Sequence, residues 1–551
     1  MIAKFLERHP IIEWLWLVFS KQRTDVAPDQ IALMRFSLVV ALFLLGFLII
    51  FVRNLDVVFF VQLPQHVPRT AEKYNMVRGN IYDRNGQLLA TTVMGHSLAV
   101  DPKKIVDSNE TARQISTVFP ELDPLTLSRS LSKDRSFVYV KRDITPQQLA
   151  AVKSLNLKGM IYEPMPHRVY PYGSLLSHAV GMVNIDHQPQ SGIEYGRNRD
   201  LVNLDNVNLS IDVRVQQILY GELQTVMKRF TPKGAGGIVM NIRNGEILGL
   251  VSLPDFDPNN PYVPDENHIN RVTSGVYEMG STFKIFNTAL ALELKKLRLD
   301  SQFDVSQPIV IGNDSINDFE KLSPILTVEQ IFTESSNIGS ALISDQFTTE
   351  QQRGFLRSLG LLKAPSLEIP GVGAPIAPKN WERIQKITVS YGHGISVSML
   401  QMAKATAAMV NGGILLEPSL ILNETTEPVH GPRVISADTS QKMQNLFKLV
   451  VQQGTGGAAR SSEYPIGGKT GTAQKVDPET RRYSNSSVNA SFVGIFPIDN
   501  PQYLVMILLD DPKGEGVGRY QNTAGKVAVP AVSSTVSQIG ALLGKTVGAK
   551  P

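Results

Sequence analysis

From Phe36 to Val52 the chain is apolar without interruption apart from Ser37 and Gly46, and Arg35 and Arg53 bracket the run. No other stretch constrains the fold as strongly, because a helix this apolar must be buried in protein or in lipid. Its 17 residues lie at the short end of what spans a bilayer, and the flanking arginines can snorkel to lengthen it. A cleavable leader would start nearer the N-terminus, carry a shorter apolar core and end in small residues. This run ends Ile49-Ile50-Phe51-Val52-Arg53 instead, which is no cleavage pattern. A buried soluble helix is the remaining rival. Lys4, Arg8, Lys21, Arg23 and Arg35 precede the run, and only Arg53 follows closely. The positive-inside rule therefore predicts a cytoplasmic segment over 1–35, a transmembrane anchor over 36–52, and the bulk of the chain outside. Ile11 to Phe19, with Trp14 and Trp16, is too short to span and is expected along the inner membrane surface.

The 551 residues are too many for one typical domain. Hydrophobic residues make up 42% and charged residues 19%, ordinary values that allow a sizeable core. A net charge of +4 with no basic block gives no case for nucleic acid. The chain has no cysteine, which excludes disulfides, thiolate catalysis and a Cys-ligated metal. Its nine histidines show no His-x-x-x-His spacing, so neither a metal nor another cofactor is expected.

Residues 53–205 read as a mixed, non-catalytic region. Val77 to Ala90 predicts strand, turn and strand, because Asn85-Gly86 tolerates the positive φ of a tight hairpin. Residues 109–155 read as helical with prolines at the boundaries, and the chain turns extended around Arg168 to Gly173. The texture changes near 206. Val213 to Phe230 predicts an amphipathic helix, and Gly236–Ile242 and Ile247–Ser252 predict strands about a turn at Arg243-Asn244-Gly245. Ile466–Gln474, Val488–Phe496 and Tyr503–Leu509 predict three more strands. Pro530–Leu543 predicts a closing helix with its proline in the first turn. Strands at both ends of 206–551 with helices between them imply an α+β domain, an antiparallel sheet flanked by helices.

Three short motifs carry chemistry. In Tyr277-Glu278-Met279-Gly280-Ser281-Thr282-Phe283-Lys284, a helix is expected over Ile285–Lys296 with Ser281 at its start. Residues three apart share a helical face, so Lys284 can reach Ser281. A desolvated, neutral lysine can take the proton of a serine nucleophile. The blander reading is an N-cap serine with a solvated lysine one turn in. In Thr333-Glu334-Ser335-Ser336-Asn337, a hydroxyl and an amide on one turn can relay a proton or simply cap a helix. In Gly467-Gly468-Lys469-Thr470-Gly471-Thr472, glycine within a strand marks close approach by a ligand or another backbone. An edge strand there can pair with an extended peptide, while two hydroxyls bind a carboxylate. A plain turn between strands is the alternative. A phosphate loop fails, because it needs glycine where Glu463 stands.

Ser-x-x-Lys, Ser-x-Asn and Lys-Thr-Gly in this order are the signature of penicillin-binding proteins and serine β-lactamases. The chain resembles the class B penicillin-binding proteins over nearly its whole length, including Arg78 to Gly86, Gly192-Ile193-Glu194, Tyr391 to Val397 and Asn411-Gly412-Gly413. The Tyr277-Glu278-x-Gly280-Ser281 form is most similar to the division-specific, FtsI-like branch, with Met279 where proline is usual. The resemblance implies an elongated pedestal (dimerisation-type) domain and a penicillin-binding transpeptidase domain. It implies a serine-type D-Ala-D-Ala carboxypeptidase/transpeptidase that cross-links peptidoglycan stem peptides in septal wall synthesis and is inhibited by β-lactams. Ser281 would be nucleophile and Lys284 base, with Ser335, Asn337 and Lys469 assisting. Backbone N–H groups of Ser281 and Thr472 would form the oxyanion hole, and Thr470, Gly471 and Thr472 would bind substrate. Localisation in the inner membrane, with the catalytic domain periplasmic, is implied too. So are an FtsW-like glycan polymerase and other divisome membrane proteins as partners. An elongation-type transpeptidase shares every motif; a β-lactamase fits the anchor and the pedestal less well, and a penicillin sensor would need a larger cytoplasmic part than the segment expected over 1–35.

Overall fold

The computed structural model describes residues 39–40, 43–48 and 77–548, apart from 261–264, 313, 426–428, 478, 481 and 515–521. Residues 39–40 and 43–48 are helical within the apolar run. The rest of the expected anchor, the N-terminal segment and residues 53–76 lie outside the described residues. Contacts group Asn75–Pro551 as one unit.

The first sheet is built on β1 (Ile81–Tyr82) and β2 (Leu88–Val100), joined by the expected hairpin with Gly86 at φ +80°. Two helices follow, α1 (Ser108–Val118) and α2 (Pro124–Leu131), capped by Asp107 and Asp123. The helical reading of 109–155 then fails in one place. Val138–Ile144 is strand β3, because its β-branched and aromatic residues pair with β2. Helix α3 (Pro146–Ser154) follows behind a Thr145–Gln148 capping box. Strand β4 (Met160–Val169) pairs antiparallel along β2 from Thr91 to Val100, and β5 (Val207–Asn208) runs parallel to β1.

The second sheet comprises β6 (Gly234–Asn241), β7 (Ile247–Leu253), β10 (Gly467–Val476), β11 (Tyr483–Phe496) and β12 (Tyr503–Asp510). Strands β8 (Val276–Glu278) and β9 (Ser396–Ser398) form a separate two-stranded antiparallel ribbon. All pairs in the five-stranded sheet are antiparallel, in the order β10-β11-β12-β6-β7, so β10 is an edge strand. Both faces are covered, and alternation divides the side chains between them. Leu504, Met506 and Leu508 of β12 enter one core, while Val505, Ile507 and Leu509 enter the other.

Helix α4 (Val213–Phe230), as expected from the sequence, covers the second face together with α10 (Ala524–Gly548). Helix α10 starts six residues ahead of Pro530, which therefore sits inside the helix and not in its first turn. By length and apolarity Ala524–Leu543 could cross a bilayer, but 56% of it is buried in protein, where it is a core helix. The opposite face carries α5 (Lys284–Glu293), α8 (Met399–Val410) and α9 (Ala437–Gln452). Every residue of α8 is buried. That core also takes in Ile81, Leu89, Ala90 and Tyr170, so the boundary expected near 205 falls within continuous packing.

Candidate active site

Ser281 is placed by three elements. Strand β8 (Val276–Glu278) pairs with β9 (Ser396–Ser398), which fixes the chain entering the turn. Gly280 then takes φ +54°, and its N–H donates to Gly392 O at 3.2 Å. Gly280–Phe283 is a 3₁₀ turn, followed by α5. Ser281 makes no capping bond; it lies inside the turn and not at an N-cap, and the helix ends at Glu293 rather than Lys296. The tight turn still carries Lys284 beneath Ser281. Met279 is buried at φ −93°, an ordinary helical-region value.

The second motif divides its labour differently from its sequence reading. Helix α6 (Val328–Glu334) ends at Ser335, which adopts the left-handed conformation, φ 67° and ψ 39°. For a non-glycine residue this is a strained position, on the order of 1 kcal/mol or more. The cap of the next helix, α7 (Asn337–Ser344), is Ser336, whose Oγ accepts from Gly339 N. Ser335 is thereby released from capping, and its hydroxyl faces two lysines.

Lys284 Nζ lies 3.0 Å from Ser281 Oγ, 3.2 Å from Ser335 Oγ and 2.8 Å from Asn337 Oδ1, and it also donates to Ser335 O. Lys469 Nζ donates to Ser335 Oγ at 2.9 Å from the other side. Lys284 and Lys469 are 1% and 0% exposed. Burial and the nearby Lys469 charge hold Lys284 well below the usual lysine range, against an opposing pull from Asp318. Burial pushes Lys469 down to about 7. A neutral amine has two N–H donors and one lone pair. The carbonyl oxygens of Ser335 and Asn337 can only accept, so they take both donors. In the neutral form the one remaining lone pair can take the proton of a serine hydroxyl. Asn337 is held in the required orientation because its Nδ2 donates to Asn317 O at 3.0 Å.

Lys469, Thr470, Gly471 and Thr472 lie on β10, at the sheet edge. The strand presses against the serine turn: a Cβ at Gly471 would stand 2.5 Å from Met279 O and 2.8 Å from Ser491 Oγ. A Cβ at Gly280 would stand 2.8 Å from Thr472 O, so the backbones of the two motifs are adjacent. All eight residues singled out in the sequence thus gather around one edge.

Other residues escaped sequence reading. Asp318 accepts from Ser336 Oγ at 2.8 Å, from Ile338 N at 3.1 Å and from Asn337 N, supporting the start of α7 from 18 residues upstream. Only the fold brings it there, so no local pattern announces it. Glu278 accepts from Gly394 N at 2.8 Å and from the Tyr483 hydroxyl at 3.2 Å, and burial raises its carboxyl. His393 lies beside them, its ring 5.2 Å from those of Tyr391 and Tyr483, and burial pushes it down to about 4. It is therefore neutral at physiological pH.

The chain is similar to known proteins along most of its length. Residues 235–536 match the penicillin-binding protein transpeptidase domain, and residues 74–205 match the penicillin-binding protein dimerisation domain. A probable peptidoglycan D,D-transpeptidase FtsI of Caulobacter vibrioides is 34% identical over 480 residues, spanning 85% of this chain and 81% of that protein. A probable peptidoglycan D,D-transpeptidase PenA of Neisseria gonorrhoeae is 32% identical over 80% of this chain and 81% of its own length. The apo transpeptidase domain of Burkholderia pseudomallei penicillin-binding protein 3 superposes with a TM-score of 0.55 at 33% identity, covering 61% of this chain and 96% of that one. Carrying both domains in this order, with relatives matched along most of its length, the chain belongs to the class B penicillin-binding proteins.

Proposed function

We propose that this protein is a peptidoglycan D,D-transpeptidase of the division septum, working through a Ser281 acyl-enzyme. The observation that carries the reading is the setting of Lys284. It is buried, it donates to the acceptor-only oxygens of Ser335 and Asn337, and its Nζ stands 3.0 Å from Ser281 Oγ, within reach of that hydroxyl's proton once the amine is neutral. Ser281 Oγ attacks the carbonyl between two terminal D-alanines while its proton passes to Lys284. The oxyanion is held by the N–H groups of Ser281 and Thr472. Thr470 and Thr472 hydroxyls bind the terminal carboxylate, and Gly471 leaves room for the peptide along β10. Collapse of the tetrahedral intermediate breaks the peptide bond. The proton returns through Ser335 and Lys469 to the departing D-alanine amine. The amine of a neighbouring stem peptide then displaces Ser281, giving the cross-link; water in its place gives carboxypeptidase action.

The same proposal places an anchor at 36–52, a pedestal at 53–205 and the transpeptidase domain at 206–551, in the inner membrane with the catalytic part periplasmic. An FtsW-like glycan polymerase is the expected partner, to be tested by co-purification before and after exchange of residues 1–53. Labelling with a fluorescent penicillin tests the chemistry: it is expected to vanish in Ser281→Ala, and undiminished labelling would sink the assignment. Depletion producing filaments supports the septal role, and round cells would assign the protein to elongation.

A further inference from the structure

Thr455 lies in the glycine-flanked loop between α9 and β10, outside every motif described above. Its Oγ1 is 2.7 Å from Thr470 Oγ1, and either hydroxyl can be the donor in that pair. The loop is held firmly in place. Gly454 N and Gly456 N both bond Val450 O at the end of α9, at 3.1 and 3.0 Å. A Cβ at Gly454 would stand 2.3 Å from Thr333 O, so this loop packs directly on the helix that ends at Ser335. On the other side, a Cβ at Gly525, in the first turn of α10, would stand 3.3 Å from Thr455 O. The loop carrying Thr455 thus bridges α6, β10 and α10 at the edge of the site, and Thr455 is itself exposed.

The two hydroxyls of β10 have matching surroundings. Thr472 Oγ1 accepts from Ala524 N, the first residue of α10, at 3.1 Å. With a lone pair so occupied, its O–H is free to point elsewhere. A hydroxyl has one O–H and two lone pairs, and its rotor turns to suit its neighbours. Thr470 reaches the same state only if Thr455 is the donor. Both hydroxyls then present their protons to one carboxylate, and each is polarised by the donor behind it.

From this geometry we infer that Thr455 is a positioning residue for the substrate's terminal carboxylate: it donates to Thr470 Oγ1 and thereby aims the Thr470 hydroxyl at the ligand. The inference deepens the transpeptidase reading and rests on it. Its ligand class is an acyl donor bearing a free carboxylate next to the scissile amide. Losing one hydrogen bond of this kind weakens recognition about tenfold.

The test compares acylation of the full-length protein by benzylpenicillin and by its methyl ester, which lacks the carboxylate charge. Thr455→Val keeps the shape and removes the hydroxyl; Thr455→Ser keeps the hydroxyl. The expected result is a second-order acylation rate about tenfold lower for Thr455→Val with benzylpenicillin. Thr455→Ser should be close to wild type, and the methyl ester should react equally with all three proteins. Equal losses with acid and ester would show a merely structural role and overturn the inference, as would an unchanged rate with both. Failure of the wild-type protein to acylate at all would instead count against the transpeptidase reading itself.

Discussion

At the scale of single residues, the site depends on two buried amines that ordinary lysines would not supply. Lys469 has its amine pushed from the usual 10.5 down to about 7 by burial. Between those two values the unfolded chain holds a proton that the folded chain lacks, so this residue's contribution to stability rises with pH across that window. Relative to Lys469→Met, the wild-type protein should gain stability between pH 7 and pH 10. Denaturation series at both pH values read this directly, and parallel stabilities would contradict it. At neutral pH the Met variant should be at least as stable as wild type while acylating poorly, since it trades a buried polar group for an apolar one. The Ser281–Lys284 pair was legible because three-residue spacing is local. The assignments of Ser335 and Ser336 were not, because which serine caps α7 is decided by where α6 ends. Asp318 left no trace at all, since its role exists only once the chain has folded back on itself.

At the scale of elements, the decisive contact is β10 against the serine turn. Gly471 permits it, with Met279 O within 2.5 Å of where a Cβ would be. Gly471→Ala should push the turn away from the strand. We expect a loss of about 1–3 kcal/mol of stability and a fall in acylation on the order of a hundredfold, because small misplacements of reacting groups are costly. Thermal melting and penicillin acylation measured together check this; unchanged acylation would show that the close approach is dispensable. The edge strand was readable from glycines set among β-type residues. Strand β3 was hidden because its short run, with Lys141, Arg142 and Asp143, sits between two helices and lacks glycine or proline of its own. The start of α10 was misplaced because Pro530 looks like a first-turn residue when the preceding Ala524 to Val529 is not recognised as helix.

At the scale of the molecule, catalytic and non-catalytic regions share one core, and a buried ion cluster ties together the non-catalytic region itself. Glu194, fully buried, accepts from Arg78 Nε at 2.8 Å and from Arg168 Nε at 2.7 Å. These residues come from three separate stretches of the N-terminal region, each noticed in the sequence but none assigned a contact. Two guanidiniums around one carboxylate leave an excess positive charge, met in part by Glu194 O and Asn198 Oδ1. Glu194→Ala strands both arginines, and the expected cost is about 3–5 kcal/mol. Urea denaturation measures it, and a change within about 0.5 kcal/mol would show that the cluster is solvated or replaceable. Sheet strands were legible as apolar runs, but the sharing of one core across residue 205 was not, because it depends on which faces meet.

Whether Ser281 is the nucleophile is read most directly by peptide-mapped mass spectrometry after exposure to benzylpenicillin. The predicted result is one added penicilloyl mass on the peptide containing Ser281, absent from a folded Ser281→Ala variant. An adduct on any other residue, or none on folded wild-type protein, would contradict it.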